Sequence, residues 1–233
     1  NTALTNQGTV NVFGSNTVSA GLSNAGTLTV EPGGSLTLNG VSTSSGVINI
    51  SGGTLTANNS LSASTLNLSS GSLNVASTAL INALNMSGGV VSGAGLVTTS
   101  ALNWTGGTIT GTGAFTVNGP STMVGAPLIL DGRTLDANGN VNWTGSGTLL
   151  IQNGATFNNN ATFTVNGAFV TTEAGTGLNA FHNAGALVVS SALTTDASGS
   201  FYTGSSAQMF GSLTTGAGSV IRVEPGSTLT LSN

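Results

Sequence analysis

Cysteine and lysine are both absent from this chain of 233 residues, and charged residues of any kind make up only 3% of it. Without cysteine there are no disulfides and no thiolate metal ligands. The two cationic side chains are Arg133 and Arg222, so the chain has no basic patch with which to neutralise phosphates. Nucleic acid is therefore excluded as a partner, and so is electrostatic docking on an anionic membrane.

Acidic residues, long apolar runs and metal-ligand clusters are also scarce. The formal net charge of −4 comes from six scattered carboxylates, a pattern that favours solubility over recognition of a partner. No apolar run approaches the roughly 18 to 20 residues of a membrane-spanning helix, so we expect no membrane insertion. We expect no metal or other cofactor, because His182 is the only histidine and the glycine pairs are not followed by regularly spaced aspartates. The chain opens at Asn1 without methionine, as expected for a processed product or an excerpt of a longer protein.

What the chain does have is an apolar pattern with a short fixed period between Gly46 and Val117. Three sets of residues are in step: Ile48, Leu66, Leu84 and Leu102; Leu55, Leu73, Val91 and Ile109; and Leu61, Ala79, Val97 and Phe115. Such a period is typical of repeat architectures, and apolar residues at alternate positions are typical of strands. The sequence therefore predicts an all-β fold, a single parallel β-helix (β-solenoid) with three strands in each coil of about 18 to 24 residues.

The repeat divides this single solenoid, residues 1–233, into three stretches. Residues 1–118 are predicted to form the regular, narrower coils. Residues 141–233 are predicted to form wider coils, since the segment that begins at Phe157 returns at Phe181 after a longer interval. Between them, residues 119–140 contain two prolines and the only charge cluster, so we expect an irregular excursion there. Parallel crossings favour a right-handed coil, while the short period of the first stretch also suits a left-handed prism.

An asparagine stands between two apolar residues in four successive repeats. The units read Ile48-Asn49-Ile50, Leu66-Asn67-Leu68, Leu84-Asn85-Met86 and Leu102-Asn103-Trp104. Because the flanking apolar residues share one face of the strand, the four asparagines must share the other. With coils about 4.8 Å apart, they are predicted to stack as an outward ladder. They also spell N-x-[ST] glycosylation sites, but the narrow spacing of the coils favours the ladder.

Two further units support a family resemblance. The pattern φ-x-N-x-G-T-φ-x-V begins at Leu4 and Leu22, and V-N-W-T-G-x-G-T-L begins at Val141. Together with the near absence of charge, these units resemble the secreted parallel β-helix repeats of bacterial filamentous-haemagglutinin-like and autotransporter-passenger proteins. The resemblance implies a right-handed, roughly triangular β-helix, an extracellular or bacterial cell-surface location, and an adhesive or scaffolding role.

One charged constellation has the composition of a catalytic site. Asp131, Arg133 and Asp136 resemble the residues of a polysaccharide-cleaving β-helix, which needs carboxylates as acid and base and a cation for developing charge. No further carboxylate or histidine is near in sequence, so the favoured interpretation is a solvated loop with an internal ion pair. His182, with no other ligand beside it, is predicted to be a surface residue.

Threonine pairs and tryptophans raise two further possibilities. The pairs Thr27/Thr29, Thr54/Thr56 and Thr108/Thr110 are typical of ice-binding solenoids, but Ser72/Asn74 and Val90/Ser92 interrupt the rank. Outward threonine is also simply a good strand residue. Trp104 and Trp143 occupy apolar positions of the repeat, so they are predicted to lie in the core and not to form exposed sugar platforms.

We expect a structural protein and not an enzyme. An uncovered end coil is a row of unpaired edge groups, and neither terminal segment shows a capping helix. The expected contact is head to tail between copies of the chain, and its residues are Asn1, Leu4, Val10 and Val12 of one copy with Leu229, Leu231 and Asn233 of the next. Such a contact propagates as a fibre. The alternatives are an adhesin or passenger stalk that binds a surface glycan or protein through flat Thr/Asn faces and, third, an ice-binding or polysaccharide-active β-helix.

Overall fold

The computed structural model describes residues 3–125, 127–167, 169–177, 179–190, 193–195, 200–203, 207–209, 213–215, 220–223 and 228–231. These residues form an all-β fold without helices, a single parallel sheet wound into a β-solenoid with about 19 residues in each turn. The predicted fold class is thus confirmed. Within this part of the chain, no helix has the length and apolar character to cross a membrane.

Three strand positions recur in each turn, and in the regular middle one long strand runs through all three. The first strands are β1 (Leu4–Asn6), β2 (Thr9–Val12), β3 (Ser15–Val18), β4 (Leu22–Asn24), β5 (Thr27–Val30), β6 (Ser35–Leu38), β7 (Ser42–Ala57), β8 (Leu61–Val75), β9 (Thr78–Ser92) and β10 (Leu96–Thr110). They continue as β11 (Phe115–Val117), β12 (Ser121–Val124), β13 (Leu128–Asp131), β14 (Thr134–Ala137), β15 (Val141–Thr144), β16 (Gly147–Gln152), β17 (Thr156–Asn159), β18 (Thr162–Asn166) and β19 (Phe169–Ala174). The last are β20 (Ala180–Asn183), β21 (Ala186–Val189), β22 (Leu193–Thr195), β23 (Ser200–Thr203), β24 (Ala207–Met209), β25 (Leu213–Thr215), β26 (Val220–Val223) and β27 (Leu229–Leu231).

The register of the sheet follows the apolar repeat. Ile48 pairs with Leu66, Leu66 with Leu84, and Leu84 with Leu102. The other two predicted sets are in register in the same way, as the pairs Leu55 with Leu73 and Leu61 with Ala79 illustrate. Each turn therefore lies directly over the turn before it, and like residues form columns along the solenoid axis.

Alternation along each strand puts every second side chain inside the solenoid. Leu66 and Leu68 on β8 are fully buried, while Asn67 between them lies half-buried on the outer face. Complete burial of each such side chain contributes about 1.5 to 3 kcal/mol. Trp104 and Trp143 are also fully buried, so the prediction that they are core residues is confirmed.

The structure corrects the expected excursion at residues 119–140. β12, β13 and β14 pair in register with the turn before, for example Thr122 with Asn103. Pro120 lies at a corner, where its missing N–H costs no ladder bond and its carbonyl accepts from the Leu102 backbone N–H at 3.1 Å. Apart from Ala126, which is outside the described residues, this stretch continues the solenoid.

The apolar repeat is interrupted in this stretch although the strands continue, because two polar residues occupy inward positions. Ser121 is 2% exposed and pairs with Leu102 and Val141, which belong to an apolar column. Arg133 is 1% exposed. A prediction that places every polar residue on the surface is therefore wrong for both Ser121 and Arg133.

The widest described turn is the one between β17 and β20. Phe157 pairs with Phe181, which confirms the longer interval between these two segments, and their rings stack with centroids 5.2 Å apart. Phe163 meets both rings edge-on at 5.9 and 5.5 Å. The widening does not continue to the end of the chain as predicted, because Phe181 pairs next with Phe201, which is a shorter step along the chain.

Candidate functional site

The outer face of the second strand position carries a ladder of asparagine amides. Asn67 Nδ2 donates to Asn49 Oδ1 at 2.8 Å, and Asn85 Nδ2 donates to Asn67 Oδ1 at 2.8 Å. Asn49 Nδ2 lies 3.5 Å from Thr29 Oγ1 in the preceding turn, and Asn103 stands exposed in register with Asn85. Because the amides all donate in the same direction, the bonds polarise one another along the axis.

A second kind of amide ladder lies inside the solenoid, at the corner after the first strand position. Asn6 Nδ2 donates to Asn24 Oδ1 at 2.6 Å, and Asn24 Nδ2 donates to Ser44 Oγ at 2.8 Å. All three side chains are at most 5% exposed. In the wide turn Asn159 Nδ2 donates to Asn183 Oδ1 at 2.6 Å, and both are fully buried.

Sequence reasoning missed these inner amides, although a signal was available. Each follows an apolar residue of the repeat by two places: Leu4 and Asn6, Leu22 and Asn24, Phe157 and Asn159, Phe181 and Asn183. Residues two apart on a strand share a face, so the same rule that puts Asn67 outside puts Asn24 inside. The inner amides also hold the corner backbone, as when Asn24 Nδ2 donates to the carbonyl oxygens of Gly26 and Val47, each at 3.2 Å.

Arg133 is buried at the corner between β13 and β14 and ties three turns together. Its guanidinium donates to the carbonyl oxygens of Gly95 at 2.8 Å, Thr110 at 2.8 Å and Ala114 at 3.2 Å. It also lies 5.7 Å from the centre of the Phe115 ring. Burial lowers the pKa of Arg133 to about 10. Its charge therefore faces backbone carbonyls inside the solenoid and not a solvent-exposed substrate.

The two aspartates of the charged constellation are not brought to one cleft with it. Asp131 Oδ1 accepts from Asn153 Nδ2 at 2.5 Å at the end of β13. Asp136 Oδ1 accepts from Asn158 Nδ2 at 2.7 Å on β14. Among the described residues no carboxylate binds the Arg133 guanidinium, so the internal ion pair expected from the sequence is replaced by its bonds to carbonyls.

The remaining candidate residues are scattered over different columns. His182 is half-buried and pairs in register with Asn158. Within the described residues, no group of three histidine or acidic side chains is placed to hold a metal ion. The threonine rank is interrupted in register as the sequence indicates, since Ser72 pairs with both Thr54 and Val90.

Among the described residues, nothing pairs with the first turn on the side away from the second turn. Leu4 is 37% exposed and Phe13 is 67% exposed, whereas Leu22, which pairs with Leu4, is 2% exposed. Val10 is half-buried, and it helps to line a recess of about 700 Å³. Of the other predicted interface residues, Val12 is 5% exposed and Leu229 packs half-buried against the core. Asn1, Asn233 and the Leu231 side chain lie outside the described residues.

Comparison of the chain with protein-family models, with curated proteins and with solved structures gave no match. Its chemistry must therefore be argued from its own geometry. That geometry consists of columns of like side chains, two kinds of amide ladder and an open first turn.

Proposed function

We propose that the protein is a structural β-solenoid of an extracellular bacterial surface fibre, in which the last turn of one copy stacks on the first turn of the next. The observation that supports this proposal is the state of the first turn. Within the described part of the chain, β1, β2 and β3 are paired on one side only, with β4, β5 and β6. An unpaired strand edge is a template for a further strand, and three such edges in one turn form a template for a further turn.

A column of corner glycines shows what a stacked turn requires. A Cβ on Gly26 would collide with the Gly8 carbonyl oxygen, and a Cβ on Gly46 would collide with the Gly26 carbonyl oxygen. A Cβ on Gly8 would meet no atom within 4 Å. Gly8 thus provides the corner without a side chain that a stacked turn needs. None of the described residues occupies the space on the side of Gly8 that faces away from the second turn.

The composition of the surface also favours a structural role. Hydrogen bonds along the axis link the outer amides as well as the backbone. The chain has only two cationic and six acidic side chains, so such a fibre would depend little on ionic conditions. A contact between two different surfaces of the same chain produces a filament when the copies do not close into a ring.

The experiment is negative-stain electron microscopy of the purified chain across a range of concentrations. We expect filaments of uniform width for the wild-type chain and for Ser70→Ala, a small substitution at an exposed position in the middle of the described chain. For Gly8→Ala we expect single short rods with unchanged circular dichroism, because the added methyl group blocks the incoming turn and touches nothing else.

Two outcomes would contradict the proposal. Short separate rods of wild-type chain at high concentration would show that the first turn does not receive a second copy. Filaments of Gly8→Ala indistinguishable from wild type would show that the copies meet elsewhere.

A second candidate function is a binding stalk that holds a glycan or protein on its flat faces. The outer ladder is a poor choice for that role, because Asn67 and Asn85 already use donors and acceptors on each other. The observation that favours this candidate lies on a different face of the solenoid. Hydroxyl groups there have no hydrogen-bond partner among the described residues.

A further inference from the structure

A concave groove runs along the outside of the solenoid where the first strand position bends into the second. It spans β7 to β10, has a volume of about 530 Å³ and is lined by residues of four consecutive turns. Its floor is one column in register, in which Thr43 pairs with Ser62, Ser62 with Leu80, and Leu80 with Thr98. Because residues in register stack from turn to turn, the groove follows the solenoid axis.

The hydroxyl groups of this groove are available to a ligand. Thr43, Ser62 and Ser100 are exposed, and Thr98 is half-buried. None of the four hydroxyls has a hydrogen-bond partner among the described residues, in contrast to the outer amide ladder. Leu80, in the middle of the floor, is 52% exposed and offers an apolar surface between them.

Charge excludes several classes of ligand. The groove itself contains no charged residue, and the column reaches its first one only two turns further on, where Thr98 pairs with Thr116 and Thr116 with Asp136. A polyanion such as nucleic acid or an acidic polysaccharide needs cations that are missing here.

Strand addition by a peptide is excluded as well. That mode needs an open sheet edge, and β8 is paired with β7 on one side and β9 on the other. The exposed hydroxyls and the exposed Leu80 match an extended, uncharged chain that has many hydroxyls and some apolar surface, as a linear neutral polysaccharide has.

We propose that this groove binds a linear neutral polysaccharide whose chain runs parallel to the solenoid axis. Sugar hydroxyls exchange hydrogen bonds with Thr43, Ser62 and Thr98, and the apolar face of a sugar ring packs on Leu80. The site lies on the side of the solenoid and does not depend on end-to-end stacking. Its test is therefore independent of the test of the proposed fibre.

The test is affinity gel electrophoresis of the purified chain in gels that contain hydroxyethyl cellulose, xylan or galactomannan, with alginate as the anionic comparison. We expect retardation by at least one neutral polymer and none by alginate. Ser62→Glu should weaken the binding at least tenfold, because it puts a charge on the floor of the groove. Ser70→Glu makes the same change at an exposed position of the same strand outside the groove, and it should bind like wild type.

Circular dichroism of both variants checks that the fold is intact. The proposal is overturned if none of the three neutral polymers retards the wild-type chain, if alginate retards it instead, or if Ser62→Glu binds as strongly as Ser70→Glu. Microscopy of the same samples reports separately on filament formation.

Discussion

Individual polar residues inside the solenoid have more influence on its stability than those on its surface. Asn24 is 2% exposed and makes hydrogen bonds to Asn6, Ser44 and two corner carbonyls. A buried donor or acceptor that loses its partner suffers its full desolvation penalty, whereas water replaces a lost bond at the surface. The inner and outer amide ladders therefore differ in energy although their side chains are identical.

Asn24→Ala should lower the free energy of unfolding by about 2 to 4 kcal/mol, because it leaves a cavity and removes one of the two hydrogen-bond partners of the buried Asn6 Nδ2 and of the buried Ser44 Oγ. The matched change in the outer ladder, Asn67→Ala, should cost less than about 1 kcal/mol. Urea unfolding followed by circular dichroism measures both. Equal losses for the two variants would contradict the distinction between the ladders.

Arg133→Met should destabilise the chain by about 2 to 4 kcal/mol, since the carbonyls of Gly95, Thr110 and Ala114 lose a charged donor in a buried place. Methionine fills a similar volume without replacing those bonds. The measurement is again urea unfolding. A variant as stable as the wild type would show that the three carbonyls find other partners.

The pKa of Arg133 gives a prediction for alkaline pH. Its folded pKa of about 10 lies below the ordinary value of an arginine, so between these two values the unfolded chain binds more protons than the folded chain. The free energy of unfolding should therefore rise as pH increases above about 10, and Arg133 should contribute no slope at lower pH, where it is charged in both states. Unfolding midpoints of the wild type and Arg133→Met at pH values on either side of this pKa measure the difference; a rise that persists in Arg133→Met would assign it to other groups.

At the scale of the turn, corner glycines set how closely successive turns approach. Gly26→Ala should destabilise the solenoid by about 2 kcal/mol or more, because the new methyl group collides with the Gly8 carbonyl oxygen of the turn before. Gly8→Ala occupies the same corner one turn earlier and should leave the stability of the isolated chain nearly unchanged. Thermal unfolding at low concentration compares them, and a loss in Gly8→Ala as large as in Gly26→Ala would contradict the open first turn.

The strands themselves follow closely from the sequence. The columns through Leu66, Leu55 and Leu61 are predicted from alternation and period alone, because an inward position tolerates little except an apolar side chain. The prediction fails where an inward side chain is polar and satisfied by partners distant in sequence. Arg133 and Asn24 are of this kind, and the bonds of Arg133 reach Gly95, 38 residues away.

The candidate sites depend on relations that a linear pattern does not contain. The ladder of Asn49, Asn67 and Asn85 was predictable, since equal spacing becomes stacking once the turn length is known. The concave groove at Leu80 was not, because it arises from the bend of β7 to β10 between two strand positions. Whether a face is flat or hollow is decided by the cross-section of the whole turn.

At the scale of the whole molecule, the solenoid is a stack in which each turn is the template for its neighbour. The pairing of β7 with β8 and of β8 with β9 repeats the same register, so in this part of the solenoid each turn offers the next turn a surface of the same shape. This is the physical basis for expecting growth along the axis. It also separates the two proposed functions in space, with assembly at the open turn and ligand binding on the side.

Amide hydrogen exchange of the first turn tests the central claim most directly. Those backbone N–H groups of β1, β2 and β3 that point away from β4, β5 and β6 lie at the open face, so they should exchange quickly in dilute solution and become protected at concentrations where filaments form. The Leu4 N–H, which already donates to the Gly21 carbonyl oxygen at 3.0 Å, is the internal control. The amides of β8, which are paired on both sides, should be protected throughout. Fast exchange of the first turn that persists at high concentration, or protection that Gly8→Ala does not remove, would contradict the stacking of one copy on the next.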